Sequence, residues 1–138
     1  MTNIPDLFEQ MEYGPAPEDA TVAHAWLHDH GAVFGHWIGG RSTSPRGDFP
    51  SNNPADGTVL AELSQGTADD IDHAVRAARA SLKAWQSLSG DQRGRHLYAI
   101  ARQVQKHSRL FAVLETLDNG KPIRESRDID IPLVARHF

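Results

Sequence analysis

Hydrophobic residues keep two rhythms along this chain of 138 residues. Downstream of Thr67 they recur at three- and four-residue steps, the period of helices with one apolar face. Upstream they come in short runs rich in β-branched and aromatic residues, punctuated by glycine and proline, as strands are. Ile71, Ala74, Val75, Ala78, Leu82 and Trp85 form the first helical stripe, predicted to be buried, with Arg76, Arg79 and Lys83 largely outside it. Thr67 has Asp70 three residues on, the capping-box spacing, and Asp69, Asp70 and Asp72 lie where the helix dipole favours negative charge. Ser89 with Gln92 repeats the signal ahead of a second helix, whose stripe is Leu97, Ile100, Ala101 and Val104. Ser108 is expected to cap a third, with Leu110, Val113, Leu114 and Leu117 inward, ending at Asn119 and Gly120. Glycine accepts the left-handed conformation at a helix C-terminus. Pro122 cannot continue the old helix but suits the first turn of a new one.

In the upstream half, Val33 to Ile38 reads as a strand, and Gly39-Gly40 after it as a tight hairpin turn needing positive φ. Residues 41–48 read as polar loop and Phe49 to Asn52 as the lead-in to a turn at Asn53-Pro54-Ala55-Asp56-Gly57. Thr58 to Leu63 follows as a strand with Val59, Ala61 and Leu63 on one face. At the N-terminus Ile4, Leu7, Phe8 and Met11 have helical spacing, and Gly14-Pro15-Ala16-Pro17 forms an extended break. Residues 18–29 read as a short helix stopped by Gly31. The first 32 residues hold too few large apolar groups for a core of their own and are expected to be an arm lying on a neighbour. Ile131 to Phe138 reads as the opening of a helix with Pro132 in its first turn. No cap or polar tail follows, so truncation is expected.

Composition narrows the classes. A hydrophobic share of 39% and a charged share of 23% fit a soluble globular chain of one domain at most. The net charge of -4 argues against a nucleic-acid partner. Residues 1–40 carry six acids and no Lys or Arg, which excludes a transit peptide, and no apolar run suits a signal sequence or a membrane span. The cytoplasm is therefore the expected compartment. Without cysteine there is no disulfide, no thiolate metal site and no cysteine nucleophile.

Several features carry competing readings. His24 and His28 are helical neighbours near His30 and could pinch a zinc or nickel ion. An exposed, His-rich helix end is the simpler account. Asn119, Lys121 and Arg124 could grip a phosphate, but Lys121 is better read as solvated or salt-bridged. Trp26, Trp37 and Trp85 are expected to be core or docking anchors, because no basic groove accompanies them. Arg127, Asp128 and Asp130 read as a surface ion-pair cluster of small energetic value.

Three segments in order carry a family resemblance: Asn53-Pro54-Ala55-Asp56-Gly57 before a strand, the run from Asp70 to Trp85, and Glu115-Thr116-Leu117-Asp118-Asn119-Gly120-Lys121-Pro122. Together they resemble the aldehyde dehydrogenase superfamily over about residues 33–138. Met11 to Glu18, with Ala25-Trp26-Leu27, is similar to the start of its family-16 branch. The resemblance implies an α/β fold. Residues 33–138 would form the first part of an NAD(P)-binding domain, a β-hairpin and strands followed by a helical lobe, ending before the dinucleotide-binding sheet. It implies a homo-oligomeric enzyme that oxidises aldehydes with NAD or NADP through a cysteine thiohemiacetal. The nucleophile, general base, oxyanion donor and nicotinamide site would all lie C-terminal to this chain. No catalytic or cofactor-binding residue is therefore assigned, and the chain alone is expected to be inactive. The chain also lacks Gly-x-Gly-x-x-Gly. One site is implied: a monovalent cation, sodium or potassium, held by backbone carbonyls at Ser51 and Asn52 and by the Asp118 carboxylate. Asp118 capping its own helix end is the plainer account. The alternative to an enzyme is a non-catalytic dehydrogenase-like scaffold. A cysteine in the downstream nucleophile position would separate the two.

Overall fold

The computed structural model describes residues 19–138. The helix predicted from Ile4, Leu7, Phe8 and Met11 and the break at residues 14–17 lie outside them. Helix α1 (Thr21–Asp29) ends through Gly31, whose φ of 75° is left-handed, as expected. Ala32 follows at φ 50°, the non-glycine residue with positive φ among those described, and its N–H reaches back to the Leu27 carbonyl at 2.9 Å. Ala23 and Leu27 are buried, so this helix lies on the body of the chain.

The run from Val33 to Ile38 is not one strand but two, β1 (Val33–Phe34) and β2 (Trp37–Ile38). Gly35 divides them: a Cβ there would stand 2.4 Å from the Thr43 carbonyl oxygen, so the chain bends where Thr43 crosses close to its backbone. Gly39 and Gly40, at φ 61° and 77°, form the expected two-residue turn of a hairpin. Its second arm is β3 (Arg41–Ser42), part of the stretch read as loop, with Trp37 opposite Ser42 and Ile38 opposite Arg41.

The lead-in to the Asn-Pro turn is likewise a strand, β4 (Phe49–Asn52), antiparallel to β5 (Val59–Leu63), which pairs in parallel with β1 on its other side. Pro50 lacks an N–H to give to a ladder, and β4 is an edge strand, where that loss is tolerated. A register shift between Ser51 and Asn52 marks a bulge. Burial on β5 accordingly departs from strict alternation: Ala61 is buried and Leu60 half-buried, whereas Val59 is exposed.

Helix α2 (Ala68–Ser87) starts with both bonds of the Thr67–Asp70 capping box in place. Its stripe corrects the expectation of burial. The helix buries no residue, and Ile71 (63% exposed), Val75, Leu82 and Trp85 all face solvent. The cause is its orientation: the small side chains Ala74 and Ala77 are half-buried toward the β2–β3 hairpin, turning the large ones away. Trp37 and Trp85 are exposed rather than core residues. Trp26 stacks on Phe34, with ring centroids 5.8 Å apart.

Helix α3 (Gly90–Lys106) opens with the Ser89–Gln92 capping box and buries Ala101 and Val104, but leaves Leu97 and Ile100 exposed. Helix α4 (Ser108–Asn119) is not capped by Ser108, which is its first helical residue. His107 holds the cap position without a side-chain bond. Val104, Ala112, Ile131 and Ala135 form the core of the helical lobe, with Ile123 packed against it. Beyond the Gly120 corner one helical rod continues as α5 (Ile123–Glu125), a π-helical segment (Ser126–Asp130) and α6 (Ile131–His137). Pro132 sits in the first turn of α6 as expected. The wide turn before it, with Ile131 N–H on the Ser126 carbonyl, accommodates a ring that cannot donate to the ladder.

Gly120 is left-handed at φ 76°, and an added Cβ would meet Pro54 Cγ at 2.7 Å. Gly120→Ala is expected to destabilise the protein by more than the ~1–2 kcal/mol of left-handed strain. Gly57→Ala, at φ 75° with open space around it, carries the strain alone. Urea unfolding of the two variants should rank them in that order. The Asp70 carboxyl is held down from 3.8 to about 2, first by the Thr67 backbone and hydroxyl and then by Arg46. Because the folded value is depressed, its stabilisation is fully present above the ordinary range and is lost as pH falls through about 2. In acid titrations monitored by circular dichroism, the gap between wild type and Asp70→Asn should close over that window.

Candidate functional site

The corner between α4 and α5 joins two of the sequence motifs. Asn53 is buried. Its side-chain oxygen accepts the Ala55 N–H at 3.0 Å, and its carbonyl accepts the Gly57 N–H at 2.8 Å. Asp56 closes the same turn by accepting from Thr58 N–H at 2.9 Å and the Thr58 hydroxyl at 2.7 Å, bonds that lower its pKa. This stiff turn presents Pro54 to Gly120. Just before it in sequence, Ser51 Oγ donates to Asp118 Oδ1.

Ser51 and Asp118 border a cavity of about 380 Å³ enclosed by α1, the sheet, α4 and α6. Its walls are mainly apolar, including Trp26, Phe34, Leu60, Phe111, Leu114 and Ile131, and Ser51, Glu115 and Asp118 supply its polar part. Of the residues expected to hold a cation, the fold thus brings Ser51 and Asp118 into contact. Asn52 follows on the strand, at the bulge.

The remaining side chains of the corner bind one another. Asn119 Nδ2 donates to Glu115 Oε1 at 2.7 Å, and Asn119 Oδ1 accepts the Lys121 N–H at 2.8 Å. Lys121 Nζ reaches Asp130 at 2.5 Å and Glu115 at 3.5 Å, and these partners, Asp130 foremost, raise its pKa. An ammonium engaged by two carboxylates is a structural tie, which disfavours the phosphate grip. Asp130, grouped with Arg127 from the sequence, is spent on this lysine, while Arg127 binds Asp128 through two bonds of 2.7 and 2.9 Å. Thr116 Oγ1 donates to the fully buried Ser126 hydroxyl at 3.1 Å, joining α4 to the π-helical segment.

The histidines of α1 part company. His30 stacks on Trp26 and has Nδ1 2.7 Å from its carbonyl, whereas His28 is exposed beside Asp29. Among the described residues no group of three or more His, Cys, Asp or Glu side chains is arranged to hold a metal ion.

A polar cluster on the other side of the sheet had no sequence signal beyond the capping role of Asp70. Arg46, in the connection between β3 and β4, places Nε 3.1 Å from Asp48 Oδ2 and Nη2 3.2 Å from Asp70 Oδ2, and it donates to the Gln65 carbonyl. Its own N–H is fixed by the buried Ser64 hydroxyl at 2.8 Å. Asp48 also accepts the Gln65 N–H at 2.8 Å. That bond, followed by the one from Arg46, lowers its pKa. His36 Nε2 lies 3.6 Å from Asp70 Oδ2, buried and without a hydrogen-bond partner.

Comparison with known proteins agrees with this architecture. Residues 40–138 match the aldehyde dehydrogenase family. An acetaldehyde dehydrogenase of Pseudomonas aeruginosa is 42% identical over 107 residues, which cover 76% of this chain and 21% of that protein. The crystal structure of gamma-glutamyl-gamma-aminobutyraldehyde dehydrogenase from Burkholderia cenocepacia superposes with a TM-score of 0.70 at 32% identity, over 83% of this chain and 24% of that one. A mutant of aldehyde dehydrogenase C from Pseudomonas syringae, crystallised with NAD+ and octanal, gives 0.72 at 28% identity, over 78% and 22%. The chain therefore spans between about a fifth and a quarter of the length of these relatives. With the Asn-Pro turn, the capped α2 and the Gly120 corner standing in the order and geometry described, the chain belongs to the aldehyde dehydrogenase family.

Proposed function

We propose that this chain is the first lobe of an NAD(P)-dependent aldehyde dehydrogenase that oxidises aldehydes to carboxylic acids, and that the lobe is inactive by itself. The observation that carries the reading is the family match over residues 40–138 of a chain that spans only 21% of its Pseudomonas aeruginosa relative. The bare apolar face of α2 and α3, with Ile71, Val75, Leu82, Trp85, Leu97 and Ile100, supports it. Such a face is what a lobe presents to the remainder of its own enzyme. Residues 33–138 would then be the first part of the cofactor domain and residues 1–32 its arm. The run from Met11 to Glu18 favours the family-16 branch. A cytoplasmic homo-oligomer is the assembly that accords with this reading.

The residues of this chain do not fit a dinucleotide. It has no glycine-rich cradle, and the N-termini of α2 and α3 are filled by their own capping boxes instead of standing open to phosphate. Nor has it a cysteine to attack a carbonyl. Its own contribution is to fix the Gly120 corner and the cavity behind it. At that corner we assign a sodium or potassium ion to the Asp118 carboxylate with backbone carbonyls of Ser51 and Asn52. The β4 bulge lies between those two residues, and a bulge leaves one residue outside the ladder.

The complete polypeptide is expected to reduce NAD+ or NADP+ with an aliphatic aldehyde such as octanal, and the 138-residue chain to give no turnover. Absorbance at the reduced-nicotinamide band reads both. Failure of the complete polypeptide, or activity of the isolated chain, would sink the proposal. For the ion, crystals of the complete protein grown with rubidium should show anomalous density beside Asp118 that Asp118→Ala abolishes.

A further inference from the structure

Helix α2 buries no side chain, so its placement on the sheet depends on the small contacts of the β2–β3 hairpin and on the polar cluster at its N-terminus. Within that cluster His36 Nε2 is the buried side-chain atom that lacks a partner. In the neutral ring it is either a donor too far from Asp70 at 3.6 Å or a lone pair facing a carboxylate, and neither tautomer satisfies it. The backbone around it is fixed: His36 N–H donates to Thr43 Oγ1 at 2.9 Å and its carbonyl accepts the Thr43 N–H at 2.8 Å. The ionised groups near the ring are Asp70 from α2 and, from the connection ahead of β4, Arg46 and Asp48. One guanidinium against two carboxylates leaves a net charge of −1. A proton on His36 would bring the cluster to neutrality and turn Nε2 into a charged donor aimed at Asp70.

We propose that His36 is a proton-operated clasp: taking up a proton from solvent, its Nε2–H closes the 3.6 Å gap to Asp70 Oδ2 and ties the hairpin side of the sheet to the start of α2. Imidazole is the side chain that gains a proton on mild acidification, so the clasp is shut in mild acid and opens as pH rises. Closing replaces an unsatisfied nitrogen with a charge-assisted bond. The face made of Ile71, Val75, Leu82 and Trp85 rides on the same helix. Proton uptake at one histidine would therefore set how firmly that apolar surface is held. The inference rests on the cluster's geometry and does not depend on the enzymatic reading.

The test is amide hydrogen exchange on the complete polypeptide at about pH 5.5 and about pH 8, corrected for the intrinsic pH dependence of exchange. Amides in the first two turns of α2 should be protected about tenfold more in mild acid. In His36→Gln, which cannot titrate, that difference should vanish, with protection equal at both pH values. A pH difference that persists in His36→Gln, or none in wild type, overturns the clasp. Should the variant fail to fold, nitrogen-15 spectra of wild-type His36 decide. A slowly exchanging Nε2–H in mild acid, lost in alkali, supports the clasp, and its absence in acid overturns it.

Discussion

The approach of Pro54 to Gly120 sets the geometry on which the helical lobe and the sheet agree. No side chain larger than hydrogen fits between them, and Gly120 must also take a left-handed turn to end α4. Two separate demands, one conformational and one steric, thus fall on a single residue. Once it is satisfied, Asp118 comes to rest against Ser51 and the cavity is framed between α1, β5 and α4. Lys121, turned the other way, bridges Glu115 and Asp130 so that the helical rod leaves the corner in one direction.

Helix α2 has the opposite character. Its beginning is determined locally, by Thr67 and Asp70 closing a capping box that needs no partner elsewhere. Its sides are undetermined, because nothing in the described residues covers the stripe of Ile71, Val75, Leu82 and Trp85. A helix can be well specified as a helix and still lack a home. The polar contacts of Arg46 with Asp48, Asp70 and the Gln65 carbonyl supply its N-terminal end with one.

Features whose chemistry is local were legible in the sequence. The two capping boxes, the Gly39-Gly40 turn and the stop at Gly120 all depend on residues a few positions apart. The contact between Ser51 and Asp118 was reached from a family resemblance, since no spacing rule joins positions that far apart in the chain. Two kinds of error remain, and each has a cause. Strands as short as Arg41–Ser42 carry too few residues to show alternation, and Pro50 disguised β4 as a turn. Burial of the α2 stripe was inferred from amphipathicity, which reports a face that seeks cover and not the presence of a cover. The cluster of His36, Arg46, Asp48 and Asp70 escaped because three of its four members lie in irregular or broken stretches.

Pro50 also bears on how such a chain avoids its neighbours. Short sheets with open edges are templates on which other chains can add strands. Of the edges of the three-stranded sheet, the one formed by β4 is the longer, and a proline stands within it, interrupting the row of donors that an incoming strand would need. The other edge is β1, two residues long. The sheet is thereby a poor seed for edge-to-edge growth, so a lobe with exposed apolar helices still keeps its backbone from recruiting copies of itself while the protein folds.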